Sequence, residues 1–324
     1  MKKKGATKRS WEKYITQFPK TPKEAFLRTS GNVFPTVELN AWLGELEVNK
    51  KAQAAGMTGD LFWEGNEVKW TPNLHLYPVE KFPHKPDEDN TGCVVIWEHP
   101  YRDDDGSIPF GMYIAGTDPY DQDKSTTASL GSTFIYKTFT KFDQTYNIIV
   151  AEYTGRPNLA STHYENTRKL LEYYNAQTLY ENQVKGLKIY FEQKKCLHLL
   201  KEQPSIIADL VKKSKVQRGY GIHMTSGIKT QAEIYLRDWL LEPKGEDENG
   251  KPVLNLHGIN SIPLLQELIA YDSNQGNFDR AIALMVTILH SHENHKIQVT
   301  SQHNQTKKLT SGIFSNNRTL FRKR

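Results

Sequence analysis

The chain has 324 residues, of which 37% are hydrophobic and 24% are charged, and a chain of this kind can bury one large core or two smaller ones. Its longest apolar stretch, residues 281–289, is too short to cross a bilayer, so we expect no membrane partner. Cys93 and Cys196 are the only cysteines, which excludes a disulfide framework and indicates a reducing compartment.

The net charge of +5 is unevenly distributed along the chain. Residues 1–13 carry six Lys or Arg and one acid, and residues 294–324 carry seven Lys or Arg and no acid. The stretch between them is therefore acidic. Basic ends of this kind favour salt-sensitive contact with nucleic acid, although they equally serve as solubilising tails. We expect residues 1–57 to form a basic tail with a helical linker segment, and residues 296–324 to form a basic, flexible tail.

The first structured elements are predicted to be helices followed by short strands. Thr21, Pro22 and Glu24 have the order of an N-cap, a first helical residue and a capping box, and Thr36 begins a second helix with one apolar stripe. Residues 58–107 then show short, partly alternating apolar runs that Gly, Asn and Pro interrupt. We interpret them as a small β extension of the main domain, which we place at residues 108–295.

The main domain begins with a buried strand that ends at Asp118. The apolar run 111–115 predicts the strand, and Asp118-Pro119 begins the loop that leaves it. Two further strands, 129–139 and 146–153, complete a three-stranded meander. A helix follows Pro157, and a short apolar run leads to Glu181, which we place at the end of a strand beside the first one.

Further helices are expected over residues 184–200, 226–241 and 261–271, and a last one begins near Asp279. The loop GEDENGKP at 245–252 has the glycine and lysine spacing of a phosphate-binding loop. Pro252 stands where the metal-binding Ser or Thr belongs, and a strand follows instead of a helix, so we reject an ATPase site there.

Asp118, Glu181 and Asp279 occupy three places that converge on one edge of the sheet in the ribonuclease H-like architecture. Such a carboxylate cluster can bind two divalent ions, Mg²⁺ or Mn²⁺, which activate water and stabilise the leaving oxygen of a phosphodiester. Each acid alone has an ordinary alternative. Asp118 can begin a turn, Glu181 can close a capping box with Thr178, and Asp279 can stabilise a helix N-terminus.

Several blocks of the chain, in order, resemble the C-terminal nuclease portion of the large terminase subunit of tailed bacteriophages. The blocks are TPKEAFLRTSGNVFP (21–35), AGTDPYDQDKS (115–125), AEYTGRP (151–157), YYNAQTLYENQVKG (173–186), GIHMTSGIKT (221–230) and LQELIAYDSNQGNFDRAIALM (265–285). The resemblance implies an α/β fold, a ribonuclease H-like mixed sheet flanked by helices, with an N-terminal helical and β extension. The packaging ATPase of a whole large terminase has no counterpart in this chain, so only the cutting activity is implied.

The resemblance also implies roles for individual residues. The family's catalytic, metal-binding acids match Asp118, Glu181 and Asp279, and Asp123, with Asp121 as a second choice, matches an auxiliary acid. Phe278 stands where the family often has a further acid, which puts one metal ligand in doubt. Lys229 lies in a block that contacts the DNA backbone, although a solvated lysine at a helix start fits it nearly as well.

We therefore expect a metal-dependent endonuclease that cuts concatemeric double-stranded viral DNA with little sequence specificity, in the host cytoplasm. Lys229, Arg156 and Arg280 are the expected DNA contacts, and the portal protein and the small terminase subunit are the partners that the resemblance implies. Two alternatives stay open. One is a non-catalytic docking module of the packaging motor, which the Phe278 departure favours. The other is a different ribonuclease H-like nuclease, such as a junction resolvase.

Overall fold

The computed structural model describes residues 32–49, 56–85, 87–121, 129–138, 146–205, 219–248, 250–274 and 276–294. Residues 1–31, which include the expected helix start at Thr21, and the basic tail 296–324 lie outside these residues. So does Asp123.

The described residues form six α-helices and nine β-strands. The helices are α1 (Thr36–Val48), α2 (Ala160–Tyr173), α3 (Gly186–Gln193), α4 (Ser226–Leu240), α5 (Ile262–Ala270) and α6 (279–294). The strands are β1 (Met57–Glu64), β2 (Glu67–Pro72), β3 (Val94–Ile96), β4 (Tyr113–Asp118), β5 (Gly131–Lys137), β6 (Ile148–Gly155), β7 (Gln177–Tyr180), β8 (Pro243–Glu246) and β9 (Pro252–Leu254).

Seven of the strands form one mixed sheet in the order β2-β1-β3-β6-β5-β4-β7. Strands β4, β5 and β6 form an antiparallel meander, and β7 crosses over through α2 to pair with β4 in parallel. This is the predicted order of strand, strand, strand, helix, strand. The ribonuclease H-like fold class expected from the sequence is confirmed.

The predicted β extension continues this sheet. Strand β3 pairs antiparallel with β6 through Val94 and Tyr153, and β1 and β2 follow at the outer edge. Backbone pairing therefore joins β1, β2 and β3 to the main domain, while the domain boundaries themselves stay a prediction.

Apolar side chains of the sheet divide between its two faces with the period of two expected for strands. Along β4, Ile114 belongs to a cluster with α1, α4, α5 and α6, whereas Tyr113 and Ala115 belong to a second cluster with α2 and α3. Helix α1 is fixed to the first cluster by Trp42, whose indole Nε1 donates to the Ile259 carbonyl at 2.8 Å. Among the described helices, none combines the length and apolarity needed to span a bilayer.

One predicted element is shorter than expected. The sequence predicts a helix over 184–200, but α3 ends at Gln193, and only a 3-10 turn at Leu197–Leu199 follows. Lys195 adopts φ of 58°, in the left-handed region, which ends a right-handed helix.

Candidate active site

The parallel pairing of β4 with β7 brings two predicted acids together. Thr117 of β4 lies opposite Tyr180 of β7, so Asp118, the last residue of β4, and Glu181, the residue after β7, lie at the same end of the two strands. The Glu181 N–H donates to the Thr117 carbonyl at 3.0 Å, which extends the ladder to the acid itself. The two carboxyl groups lie close enough for each to affect the pKa of the other.

Asp279 reaches the same edge from the first residue of α6. The start of that helix is fixed by Glu267 of α5, whose Oε2 accepts from the backbone N–H groups of Arg280 at 2.9 Å and Ala281 at 3.1 Å. Helix N-terminal N–H groups lack partners within the helix, and here a carboxylate from a neighbouring helix satisfies two of them. Asp279 is thereby held 4% exposed at the wall of a cleft.

The three acids line a single cleft of about 270 Å³. Its wall consists of Asp118, Pro119, Ser129, Glu181, Gln183, Val184, Lys229, Tyr271, Gly276, Asn277, Phe278, Asp279 and Ile282. The structure thus brings Asp118, Glu181 and Asp279 to one place from positions as far as 161 residues apart in the sequence.

Burial and crowding oppose ionisation of these acids. Burial first, and then the charges of Glu181 and Asp279, raise the pKa of Asp118 well above its usual value. Burial also raises the pKa of Glu181, against the lowering effects of the Asp118 hydrogen bond and of the Lys229 charge. The pKa of Asp279 is raised by burial in spite of its hydrogen bonds to Leu130 and Ser129. A bound cation would favour the ionised form of these crowded carboxyl groups.

The donor chemistry of the cleft fits a hard divalent cation, which prefers carboxylate oxygens. Asp118 and Glu181 supply two adjacent carboxyl groups, and Asp279 supplies a third in the same wall. Within the described residues, however, no group of three or more His, Cys, Asp or Glu side chains is arranged to hold a metal ion. The fit to a cation is thus one of residue chemistry and of common location in one cleft.

Lys229 lines the cleft from the first turn of α4. Thr225 caps that helix by accepting from the Ile228 N–H, so the position of Lys229 follows from a regular helix start. Its Nζ donates to the Ser273 carbonyl at 3.2 Å and lies 5.7 Å from the centre of the Tyr271 ring. The ammonium group is therefore held beside the acids, and its contact with DNA stays a prediction.

The structure corrects the prediction that Arg280 contacts DNA. Arg280 is 1% exposed, and its Nε donates to Glu152 Oε1 at 2.6 Å while Nη1 lies 3.5 Å from Glu267 Oε1. Its backbone lies next to Asp279, but its side chain points away from the acid cleft into the protein, where the two carboxylates compensate its charge.

Two further predicted residues are engaged in internal contacts. Arg156 is half-buried, with its Nη1 donating to the Ser129 carbonyl and its guanidinium 4.3 Å from the centre of the Tyr120 ring. Asp121, the second choice for an auxiliary acid, accepts from the N–H groups of Lys185 at 2.9 Å and Gly186 at 3.0 Å.

Asp121 therefore stabilises the N-terminus of α3, as a carboxylate at that end of a helix does. It is not among the residues that line the acid cleft, and an auxiliary ligand role for it stays a prediction. Asp123, the first choice, lies outside the described residues.

Phe278 gives the cleft an apolar wall at the position where the resembled family often has an acid. Its ring packs against Tyr271 with centroids 5.1 Å apart and against Phe82 at 5.6 Å. No described carboxylate replaces it in the lining beyond the three predicted acids.

Sequence reasoning missed the residues that hold Asp279. Ser129 and Leu130, 150 and 149 residues earlier, donate to its carboxylate, and Asn277 donates from two residues away. Only Asn277 could have been found from its spacing, as a polar residue just before a helix start. The sequence predicts Ser129 only as the beginning of a strand.

Comparisons with known proteins gave structural matches only. No protein-family model matches the chain, and no curated protein matches it. Two similar solved structures are crystal structures of the large terminase nuclease from thermophilic phage G20c, one of them with bound magnesium. The first has a TM-score of 0.37 and 11% identity, over 61% of this chain and 88% of that one. The second has a TM-score of 0.32 and 11% identity, over 62% and 88%.

Likenesses of this strength carry no argument about function. The fold class follows from the strand order of the sheet.

Proposed function

We propose that the chain is a divalent-metal-dependent DNA endonuclease, in which Asp118, Glu181 and Asp279 bind Mg²⁺ or Mn²⁺. The observation that carries the proposal is that Asp118, Glu181 and Asp279 line one cleft, where burial and the neighbouring carboxyl charges raise the pKa of Asp118. Adjacent buried carboxylates destabilise one another, and a cation compensates that cost. Two bound ions would supply an activated water and charge neutralisation to phosphodiester hydrolysis.

The protein's own residues have distinct roles in this proposal. Asp118, at the rigid end of β4, and Glu181, just after β7, would hold the cation. Lys229, fixed by the Ser273 carbonyl, offers its ammonium group to a DNA phosphate next to the acids. Contacts of this kind position a duplex without reading its bases, so little sequence specificity is expected.

The biological role that we propose follows from the sequence resemblance. It is the cutting of concatemeric double-stranded DNA during viral genome packaging, in the host cytoplasm, together with a portal protein and a small terminase subunit. Translocation of DNA is not part of the proposal.

Plasmid cleavage tests the proposed activity. The wild-type protein with Mg²⁺ or Mn²⁺ should cut supercoiled plasmid, and chelator should stop the reaction. Asp118→Ala should lower the rate by on the order of 100-fold or more, because it removes a metal ligand. Asp104→Ala removes an exposed acid that does not line the cleft and should cut as the wild type does. Equal cutting by Asp118→Ala would contradict the proposal.

A docking module without catalytic activity is the second candidate. The apolar Phe278 wall favours it, and so does the absence, among the described residues, of a group of three or more His, Cys, Asp or Glu side chains arranged to hold a metal ion. This candidate predicts that the wild-type protein neither binds Mn²⁺ in the cleft nor cuts DNA. Comparing branched with linear duplexes separates the proposed enzyme from a junction resolvase, which would prefer the branched substrate.

A further inference from the structure

Asp279 is held in the cleft wall mainly by a segment from the other side of the site. Its Oδ1 accepts from the Ser129 hydroxyl at 2.9 Å, and its Oδ2 accepts from the Leu130 N–H at 2.8 Å and from the Asn277 amide at 2.9 Å. Two of these three donors belong to the residues just before β5. The position of the carboxylate therefore depends on where residues 129 and 130 lie.

That segment is in turn fixed by Arg156, at the end of β6. The Arg156 guanidinium donates to the Ser129 carbonyl and stacks on the ring of Tyr120, two residues after Asp118. The Tyr120 hydroxyl donates to the Pro157 carbonyl at 3.0 Å, so Tyr120 also bonds to the residue that follows Arg156. Arg156 thus connects the chain that follows Asp118 with the chain that holds Asp279.

The hydrogen bonds leave Asp279 with restricted capacity for a cation. An ionised carboxylate has about four acceptor positions, and three donors occupy three of them. The oxygen with capacity left for a cation is Oδ1, which accepts from the Ser129 hydroxyl alone among these donors. Hydrogen bonds of this kind orient a ligating carboxylate, and their loss typically weakens metal binding by about 10–100-fold.

We propose that Ser129 and Arg156 are positioning residues for cation binding. Ser129 orients the Asp279 carboxylate, and Arg156 fixes the position of Ser129 relative to the end of β4 that bears Asp118. The inference rests on the proposed metal-binding function of the cleft. In this inference Arg156 has a structural role, which differs from the DNA contact expected from the sequence.

Binding of Mn²⁺ without DNA tests the role of Ser129. Protein is titrated with Mn²⁺, and the free ion is measured from its electron paramagnetic resonance signal. Ser129→Ala should bind Mn²⁺ roughly 10-fold more weakly than the wild type, and Ser129→Thr, which keeps the hydroxyl, should restore most of the affinity. Thr138→Val is the matched control, because Thr138 lies just beyond the opposite end of β5 and its hydroxyl bonds only to backbone carbonyls there. Its affinity should equal that of the wild type.

Arg156→Lys separates a positioning role from a DNA contact. Lysine keeps the positive charge but lacks the planar fork that bonds the Ser129 carbonyl and stacks on Tyr120 at the same time. We expect weaker Mn²⁺ binding in the absence of DNA, by roughly 3- to 10-fold. A residue that only contacts DNA would leave Mn²⁺ affinity unchanged.

The outcomes distinguish failure of this inference from failure of the proposed function. If the wild type binds Mn²⁺, Asp118→Ala does not, and both Ser129→Ala and Arg156→Lys bind as the wild type does, the positioning role is overturned and the metal site stands. If the wild type does not bind Mn²⁺, the proposed function fails and this inference fails with it. Circular dichroism of each variant confirms that it is folded. If Ser129→Ala is not folded, Ser129→Thr can still be compared with the wild type.

Discussion

Asp118 lies where burial and two neighbouring carboxyl groups all favour its protonated form. Because its pKa is raised in the folded protein above the value in the unfolded chain, the folded state binds this proton more tightly. The corresponding stabilisation is complete below about pH 4, the ordinary range of an aspartate, and is lost as the pH rises through the folded pKa. Without a cation, the cleft therefore destabilises the protein at neutral and alkaline pH.

Replacing Asp118 with Asn should stabilise the metal-free protein at pH 8. The amide has no charge to bury, so we expect a gain on the order of 1 kcal/mol, or about 2–4 °C in Tm, which disappears near pH 4. Thermal unfolding in chelator at both pH values measures this difference. In excess Mn²⁺ the wild type should become more stable than the Asn variant, because only the wild type is stabilised by metal binding. A metal-free Asn variant that is less stable than the wild type at pH 8 would contradict the electrostatic description of the cleft.

Arg280 and Lys229 should respond to substitution in opposite ways. Arg280→Met leaves the buried Glu152 and Glu267 carboxylates without their partner, and we expect a loss of about 3–5 kcal/mol in the free energy of unfolding. Lys229→Met should cost little stability and should weaken DNA binding instead. Urea denaturation and DNA binding of the two variants measure both effects. If the Arg280→Met protein is as stable as the wild type and binds DNA more weakly, the result would support the DNA contact predicted for Arg280.

At the scale of elements, the sheet edge is assembled by pairings that only partly follow from local sequence. The apolar run before Asp118 predicts β4, and the short run before Glu181 predicts β7, because buried strands have recognisable composition. Their parallel pairing follows from the intervening helix, which a parallel crossover requires. The end of α3 at Gln193 does not follow, since nothing in the local pattern shows that Lys195 adopts a left-handed conformation.

Asp121 belongs to this scale because it joins the loop after β4 to the start of α3. Asp121→Ala removes the acceptor for two helix N–H groups and for the Tyr164 hydroxyl at 2.6 Å, and we expect a loss of about 1–2 kcal/mol of stability. Mn²⁺ affinity should stay at the wild-type value. Thermal unfolding and Mn²⁺ titration of the variant check both statements. Strongly weakened Mn²⁺ binding in a folded variant would support a metal-ligand role for Asp121.

For the whole molecule, charge is distributed between an acidic body and basic ends. Residues 294–324 carry seven Lys or Arg and no acid, whereas the cleft lies in the body of the chain. Neutralised phosphates release counterions, so DNA affinity falls with salt in proportion to the number of phosphates that the protein neutralises. Basic ends can therefore contribute to affinity without any role in cutting.

Removing residues 296–324 should flatten the salt dependence of DNA binding and leave Mn²⁺ binding unchanged. Every phosphate that the shortened protein no longer neutralises lowers the slope of log affinity against log salt by about 0.9. Fluorescence anisotropy with a labelled duplex at several salt concentrations gives the slope for both proteins. An unchanged slope would show that the tail only solubilises the protein.

The fold of this chain is more predictable from its sequence than the arrangement of its site. Strand order and the convergence of three acids follow from hydrophobic periodicity and from the ribonuclease H-like architecture. The support of Asp279 by Ser129 and the burial of Arg280 do not, because both depend on contacts more than 100 residues apart in sequence. A charged residue beside a predicted acid looks like a surface residue until its buried partners are known.

The most direct test of the central claim is an anomalous difference map from crystals soaked in Mn²⁺. We predict a peak in the cleft, coordinated by the carboxylates of Asp118 and Glu181 with Asp279 alongside, and loss of that peak in Asp118→Ala. A map without density between Asp118 and Glu181 at a saturating Mn²⁺ concentration would contradict the proposal that this cleft binds metal.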